Sequence, residues 1–196
     1  MIIIVRRRHN WFPGAKYHIT SRGIRRTSLF YDDEDFQKYL NLLEDTKNRY
    51  PFILHTYCLM TNHIHLQLET VTTPPGIIMR YLHTKYAKYF NKRYDYQGHV
   101  FENRYGAQWI DSADYELDVS KYIHLNPLKA SMVQNLEDYP WSSYRHYVLG
   151  EKSTLISTNQ ILSYFHEPQT KNYETYMKSP YYEPVIDEDG KLIRCR

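Results

Sequence analysis

Two histidines separated by a single residue, His63-Ile64-His65, form the pattern with the clearest chemical potential in this chain. They lie in a run where polar and apolar residues alternate, and alternate side chains of a β-strand point to the same face. Both imidazoles therefore share one face, while Ile64 points into the core. Such a pair can bind a divalent metal ion, which can polarise a phosphate group. The competing interpretation is two polar side chains on a solvated strand face.

A second group of chemical interest is Tyr122 and Asn126, which are four residues apart and so share one face of a predicted helix. If that helix lies against the histidine strand, the Asn126 amide oxygen would complete three protein ligands with His63 and His65. Two imidazoles and one oxygen, with open positions for substrate oxygens, suit Mg²⁺ or Mn²⁺. Tyr122 would then attack a phosphodiester and form a phosphotyrosine linkage, which conserves the bond energy and is reversible.

Positive charge is segregated along the chain, although the net charge is only +3. Residues 1–31 contain seven Lys or Arg residues and no Asp or Glu, and residues 80–93 form a second basic segment. Segregated positive charge favours a polyanionic partner, most simply a nucleic acid. The alternative for each segment is a solvated surface.

Tyrosine is abundant, with 21 residues. Tyrosines interleaved with Lys and Arg, as in residues 86–94, suit base stacking beside phosphate contacts, whereas most of the others are expected in the core or at its boundary. Tyr86 and Tyr89 are rival nucleophiles by helix position, but neither has an amide ligand at the right spacing. For Tyr122 itself the alternative is a helix tyrosine at the core boundary.

The chain of 196 residues is long enough for one domain with a tail, and its composition is that of a soluble protein. Cys58 and Cys195 lie far apart and match no zinc or redox spacing, which favours a reducing compartment. No secretory signal is evident, and the apolar start at residues 1–5 is too short for a membrane span. We expect a cytoplasmic protein without membrane association.

Hydrophobic spacing and turn residues predict the element order β-α-β-β-α-β-α. The strands are predicted over residues 16–21, 52–59, 63–70 and 107–110, and the helices over about 32–50, 76–93 and 112–125, with Asn126-Pro127 ending the third. This order is typical of an α+β, ferredoxin-like fold: a split βαβ antiparallel sheet with helices on one face. A further helix is predicted over about 153–165.

Several motifs, taken together and in order, resemble those of the bacterial single-tyrosine HUH transposases, in particular the REP-associated tyrosine transposases. HUH stands for histidine–hydrophobic–histidine, which His63-Ile64-His65 matches. The resemblance extends from about Tyr17 to Tyr147, and its specificity comes from the joint occurrence of the motifs. They lie at residues 17–23, 60–69, 89–93, 98–101, 122–127 and 139–144.

The resemblance implies a metal site at His63 and His65 and a nucleophile at Tyr122. Asn126 falls where insertion-sequence members carry a glutamine ligand. The implied activity is cleavage of single-stranded DNA near hairpins, which leaves a 5′-phosphotyrosine and a free 3′ hydroxyl, and the implied assembly is a homodimer whose sheets join. On charge grounds the expected DNA contacts are Arg22, Arg25, Arg26, Lys92, Arg93 and Arg104. We assign residues 1–150 to the transposase domain and residues 151–196 to a C-terminal extension, partly helical or loosely ordered.

Two other functions remain open from the sequence. A non-catalytic protein that binds structured nucleic acid, such as a domesticated transposase, would share the fold, because RNA-recognition modules stack bases on the aromatic residues of a similar sheet. A zinc hydrolase would combine His63 and His65 with His99 or Cys58. The stretch around His63 and His65 lacks an acidic general base, which counts against the hydrolase.

Overall fold

The four strands that the sequence predicts form one antiparallel sheet. The computed structural model describes residues 11–180 and the backbone of a short C-terminal strand pair, β5 (Val185–Ile186) and β6 (Leu192–Ile193). The arginines at positions 6–8 lie outside the described residues. Apart from β5 and β6, so does the predicted tail beyond residue 180. The sheet strands are β1 (Lys16–Arg22), β2 (Phe52–Met60), β3 (His63–Thr70) and β4 (Gly106–Ile110).

The strand order is β2-β3-β1-β4, and all neighbours are antiparallel. β3 therefore lies between β1 and β2, which is the arrangement of a split βαβ unit. This confirms the predicted α+β fold class. Because β1 is central, its side chains meet those of β3 on one side and those of β4 on the other.

Two helices cover one face of the sheet, as predicted. They are α1 (Asp33–Arg49) and α2 (Pro75–Tyr94). The Asp32 side chain caps α1 by accepting a hydrogen bond from the Asp35 backbone N–H, and Pro75 fits the first turn of α2, where its missing N–H has no cost. Tyr17 and Ile19 of β1 are fully buried in the core beneath these helices.

The third helix, α3 (Ala113–Lys129), lies on the opposite face of the sheet. Its Val119 and Ile123 side chains pack with Cys58 and Met60 of β2 in a second hydrophobic cluster. Strand alternation explains the two faces, since Cys58 and Met60 point away from the α1–α2 core. The opposite face of β1 is thereby covered by α3.

The predicted end of α3 at Asn126-Pro127 is wrong, because the helix runs through Pro127 to Lys129. A proline inside a helix removes one backbone donor and leaves a carbonyl without its usual partner. Here the Asn126 side chain compensates: its amide nitrogen donates to the Tyr122 carbonyl at 2.8 Å and to the Ile123 carbonyl at 3.4 Å. The Ile123 carbonyl, which Pro127 cannot serve, is thus contacted by a side-chain donor, and the helix continues.

The helix predicted over 153–165 is also wrong in extent, since only α5 (Asn159–Leu162) is helical there. Residues before it are extended beside β2, where the Ser157 N–H donates to the Leu54 carbonyl at 2.8 Å. Tertiary pairing overrides the local helical pattern. Two more helices complete the described C-terminal part, α4 (Tyr144–Val148) and α6 (Gln169–Lys178).

The C-terminal helix α6 is fastened to α3 by buried polar contacts. The Tyr173 hydroxyl lies 2.7 Å from His124 Nδ1 and 3.0 Å from Ser120 Oγ. Lys121 Nζ donates to the Tyr176 carbonyl at 2.6 Å, at the end of α6. These contacts fix the position of α3 relative to the rest of the fold.

Among residues 11–180, every helix is either too short or too polar to span a lipid bilayer.

Candidate functional site

The β2–β3 hairpin presents the two predicted histidines on the α3 side of the sheet. His63 and His65 have ring centroids 5.0 Å apart, with the rings nearly perpendicular. The tight turn at Thr61-Asn62 starts β3, so that His63 pairs with Met60 of β2 and with Arg22 of β1. The strand alternation predicted from the sequence therefore brings both imidazoles to one face.

β1 contributes a third histidine to the same face. His18 is buried, with 5% of its surface exposed, and its Nε2 atom lies 3.0 Å from His65 Nδ1. The two rings stack, with centroids 5.3 Å apart and an interplanar angle of 22°. His65 is therefore held between strand neighbours on one side and α3 on the other.

α3 brings Tyr122 over these imidazoles. The Tyr122 ring centroid lies 5.4 Å from that of His65 and 5.7 Å from that of His18, edge to face in both cases. The ammonium of Lys129 lies 5.4 Å from the centre of the Tyr122 ring. The helix can place Tyr122 here because Val119 and Ile123 on the same helix are buried against the sheet.

Asn126, one turn beyond Tyr122, is 9% exposed and faces His63. Because its amide nitrogen donates to the Tyr122 and Ile123 carbonyls, its amide oxygen is left for the histidine side. The hydrogen bonds that the Asn126 side chain makes to the helix before Pro127 thus also orient its amide oxygen, a potential metal ligand. Tyr122, His65, His63 and Asn126 are brought together as the sequence predicts.

Burial keeps the histidines of this site neutral. Desolvation lowers the pKa of His63 to about 4, the Arg22 guanidinium acts in the same direction, and a hydrogen bond with Asn126 opposes both. Desolvation likewise lowers the pKa of His18 to about 4. The pKa of His65 is well below its usual value, first because of burial and then because a proton on His65 would be repelled by charge on His18, His63 or Arg22. Neutral imidazoles carry the lone pair that a metal ion requires.

The site fits a divalent metal ion held by two imidazoles and an amide oxygen. His65 Nε2 is buried and has no hydrogen-bond partner, and an unpaired buried nitrogen is costly unless a ligand uses it. Within residues 11–180 no group of three or more His, Cys, Asp or Glu side chains could hold a metal ion. The proposed ligand set therefore depends on Asn126 as the third ligand. The described residues do not form the ligand set of a zinc hydrolase, in which Cys58 or His99 would join His63 and His65.

Four of the six predicted DNA contacts are exposed and come from the turns at one end of β1. Arg22 is the last residue of β1 and is paired with His63. Arg25 and Arg26 follow in a short 3₁₀ turn. Arg104 lies in the loop before β4, a loop joined to β1 by the Glu102 N–H, which donates to the Arg22 carbonyl at 2.9 Å.

Lys92 and Arg93 belong to α2, on the opposite face of the sheet. Arg93 is held by three carboxylates, with nitrogen–oxygen distances of 2.7 Å to Asp32, 3.0 Å to Glu34 and 2.7 Å to Asp35. Its charge is thus largely neutralised inside the protein, and the structure does not bring it to the histidine site.

The rival tyrosines also lie on the α2 side. Tyr86 is fully buried and its hydroxyl donates to the Leu29 carbonyl at 2.6 Å. The Tyr89 hydroxyl donates to Asp35 at 2.9 Å. Neither hydroxyl is near the imidazoles, which leaves Tyr122 as the tyrosine of this site.

Two site residues were not identified as functional candidates from the sequence, His18 and Asn62. His18 lies between apolar Tyr17 and Ile19, so the alternation does indicate its face. Its contact with His65, however, depends on the β1–β3 register, which the sequence does not specify. Asn62 looks like an ordinary turn residue, but its Oδ1 atom lies 2.7 Å from His63 Nδ1.

Comparisons with known proteins point to one family. The family model described as IS200-like transposase matches residues 12–126, more than half of the chain. A Haemophilus influenzae protein described as a REP-associated tyrosine transposase is 25% identical over 156 residues, which cover 74% of this chain and 88% of the relative. The structure of a REP-associated tyrosine transposase bound to a REP hairpin superposes with a TM-score of 0.64 and 18% identity, over 79% of this chain and 92% of that one.

The matched segment begins just before β1 and ends at Asn126, so it includes Tyr122 and the three proposed metal ligands. The resemblance to REP-associated tyrosine transposases that the motifs indicated is confirmed by the Haemophilus influenzae relative. The chain belongs to the IS200-like transposase family.

Proposed function

We propose that this transposase cleaves and rejoins single-stranded DNA next to a hairpin, with Tyr122 as the nucleophile and Mg²⁺ or Mn²⁺ bound by His63, His65 and Asn126. The observation that carries the proposal is the position of the Tyr122 ring, 5.4 Å from the ring of His65, whose buried Nε2 atom has no partner. A nucleophile, two imidazoles and an oxygen donor thereby meet on one face of the sheet. The bound metal ion would act as a Lewis acid on the scissile phosphate.

In the proposed step, the Tyr122 hydroxyl oxygen attacks the phosphorus, the bond from phosphorus to the 3′ oxygen breaks, and a 5′-phosphotyrosine forms. The phenol loses a proton to solvent, and the 3′ oxygen leaves and takes up a proton. Attack on the linkage by a 3′ hydroxyl reverses these changes and releases Tyr122, so no further reactant is needed. The Lys129 ammonium, 5.4 Å from the centre of the Tyr122 ring, would favour the phenolate over the phenol.

DNA would approach over the exposed turns at the end of β1. Arg22 is the strand partner of His63 and would bind the phosphate beside the reacting one. Arg25, Arg26 and Arg104 extend this basic surface, and phosphate contacts of this kind dominate affinity. The relative that was solved with a REP hairpin supports a hairpin as the substrate.

A homodimer remains part of the proposal. β4 is an edge strand of the sheet in the described residues, and its Trp109 side chain is 49% exposed beside Phe12. An exposed edge with aromatic residues can pair with the same edge of a second copy. Sedimentation at several protein concentrations would report the mass directly, and a monomer throughout would contradict this part.

The test is a cleavage assay with a 3′-labelled single-stranded hairpin taken from the flanks of the gene, run with Mn²⁺ or Mg²⁺ on a denaturing gel. We expect a labelled protein–DNA adduct that is lost in Tyr122→Phe and on addition of a chelator. Tyr31→Phe is the matched control, because that side chain is 60% exposed. Hairpin binding in a native gel without any adduct would contradict the proposal and favour the non-catalytic binding protein.

A further inference from the structure

Each of the two histidines proposed as metal ligands has its Nδ1 atom held by a neighbouring side chain. His63 Nδ1 lies 2.7 Å from Asn62 Oδ1, and His65 Nδ1 lies 3.0 Å from His18 Nε2. Since Nδ1 is occupied in both rings, Nε2 is the atom that remains for an external ligand. Partners of this kind orient metal-binding imidazoles and set their tautomer.

The tautomer of His63 follows from the hydrogen bonds of Asn62. The Asn62 amide nitrogen donates to the Arg26 carbonyl at 3.1 Å, so the amide oxygen must be the atom that faces His63. An amide oxygen only accepts hydrogen bonds. If the proposed metal ion takes up Nε2 and the Asn126 oxygen, the single proton of the neutral His63 ring lies on Nδ1 and is donated to Asn62 Oδ1, so that Nε2 carries the lone pair.

The same reasoning applies to His65. Its Nε2 atom is buried without a partner and can act as a metal ligand only with its lone pair free, so Nδ1 carries the proton and donates to His18 Nε2. His18 then acts as the acceptor. His18 is only 5% exposed and its ring stacks on that of His65. Burial and stacking therefore hold His18 Nε2 beside His65 Nδ1.

Asn62 also connects the histidine to the arginine turn, which comprises residues 23–27. Arg25 and Arg26 both have positive φ angles, 49° and 62°, which are sparsely populated for residues other than glycine and persist only when the surroundings enforce them. Gly23 is required at the start of this turn, because a Cβ atom there would lie 2.1 Å from the Thr27 carbonyl oxygen. The Gly23 N–H donates to the Asn62 carbonyl at 2.8 Å.

We propose that His18 and Asn62 are positioning residues that fix both imidazoles with Nε2 toward the metal, and that Asn62 ties this geometry to the arginine turn. The inference rests on the proposed metal site. Neither residue touches the metal; each acts through the histidine beside it. Loss of either should weaken metal binding about 10- to 100-fold, the usual effect of removing such a partner.

The test measures Mn²⁺ affinity of the full-length protein by calorimetry, with melting temperature recorded for every variant. His18→Phe and Asn62→Leu remove the acceptors, and we expect 10- to 100-fold weaker Mn²⁺ binding in each. Asn62→Asp keeps an acceptor for His63 while it removes the donor to Arg26, so it should bind Mn²⁺ within a few-fold of the wild type. It should nevertheless bind hairpin DNA more weakly in the absence of metal.

Wild-type affinity in both His18→Phe and Asn62→Leu would overturn the inference while leaving the metal site intact. A loss in Asn62→Asp as large as in Asn62→Leu would also overturn it, since the loss would then not follow the acceptor. If His18→Phe fails to fold, the Asn62 pair decides, because Asn62 lies in a surface turn. Absence of Mn²⁺ binding in the wild type would instead overturn the proposed metal site itself, and this inference with it.

Discussion

Asn126 presents its two amide atoms to different partners, and this division makes its two roles separable. The nitrogen supports the helix around Pro127 and the oxygen faces His63. Asn126→Ala removes both, so we expect at least tenfold weaker Mn²⁺ binding and a loss of about 1–2 kcal/mol in the free energy of unfolding. Asn126→Asp keeps an oxygen and should lose stability but retain Mn²⁺ binding. Calorimetric titration and urea unfolding measure the two effects.

The opposite pattern would contradict these roles. If Asn126→Ala kept the wild-type Mn²⁺ affinity, the third ligand would have to come from elsewhere. If Asn126→Asp kept wild-type stability, the side-chain repair of the helix at Pro127 would be unimportant.

At the scale of elements, the position of α3 depends on α6. The Tyr173 hydroxyl serves both His124 and Ser120 in a buried setting, and its removal leaves His124 Nδ1 without a partner. Tyr173→Phe should therefore cost about 1–3 kcal/mol of unfolding free energy, measured by urea denaturation. Tyr31→Phe, at an exposed position, should change it by less than about 0.5 kcal/mol. Equal stabilities would show that the hydrogen bonds of Tyr173 do not hold α6 on α3.

The α4 segment should make stability sensitive to alkaline pH. Burial raises the pKa of Tyr144 to about 12, and the nearby Glu137 and Glu174 carboxylates act in the same direction. In the unfolded chain this phenol ionises near its usual value of 10. The stabilisation is therefore complete below pH 10 and is lost as the pH rises toward 12, because only the unfolded chain releases the proton in that range.

Tyr144→Phe should accordingly show a shallower fall of unfolding free energy between pH 10 and 12 than the wild type, in urea titrations at several pH values. Its stability at neutral pH is compared separately. An unchanged slope would mean that Tyr144 does not contribute to the alkaline loss.

The elements were largely predictable because their signals are local. Alternation identified β3 at its observed bounds, and Asp32 and Ser112 marked the starts of α1 and α3. The end of α3 was predicted too early because the Asn126 side chain donates to the Ile123 carbonyl, which Pro127 leaves without its usual backbone donor. The extended run before α5 was missed because its pairing partner, Leu54, lies about a hundred residues earlier in the sequence.

The candidate site was predictable only in part, because its residues come from elements that are far apart in the sequence. His63 and His65 share a face by alternation, and Tyr122 and Asn126 share one by helix spacing. That these two faces meet depends on α3 crossing the sheet opposite α1 and α2, which the sequence analysis left open. His18 joins the site through strand register. Arg93 is absent from it because α2 lies on the other face of the sheet, where three acidic residues near the start of α1 bind Arg93.

At the scale of the whole molecule, one chain supplies the nucleophile and the metal ligands of the proposed site. Tyr122, His65 and His63 meet within a single copy, so cleavage should occur in cis. A mixture of Tyr122→Phe with a His63→Ala/His65→Ala double variant should then form no more adduct than either protein alone. Adduct restored in the mixture would show that the tyrosine and the histidines act from different subunits.

The central claim, that Tyr122 becomes covalently linked to DNA, is tested most directly by mass spectrometry of the adduct after nuclease and trypsin digestion. Cleavage after Lys121 and Lys129 gives a peptide of residues 122–129 in which Tyr122 is the sole tyrosine. We predict a nucleotide mass on this peptide, formed with Mn²⁺ and absent with chelator. A nucleotide on a peptide containing Tyr86 or Tyr89 instead, with residues 122–129 unmodified, would contradict the claim.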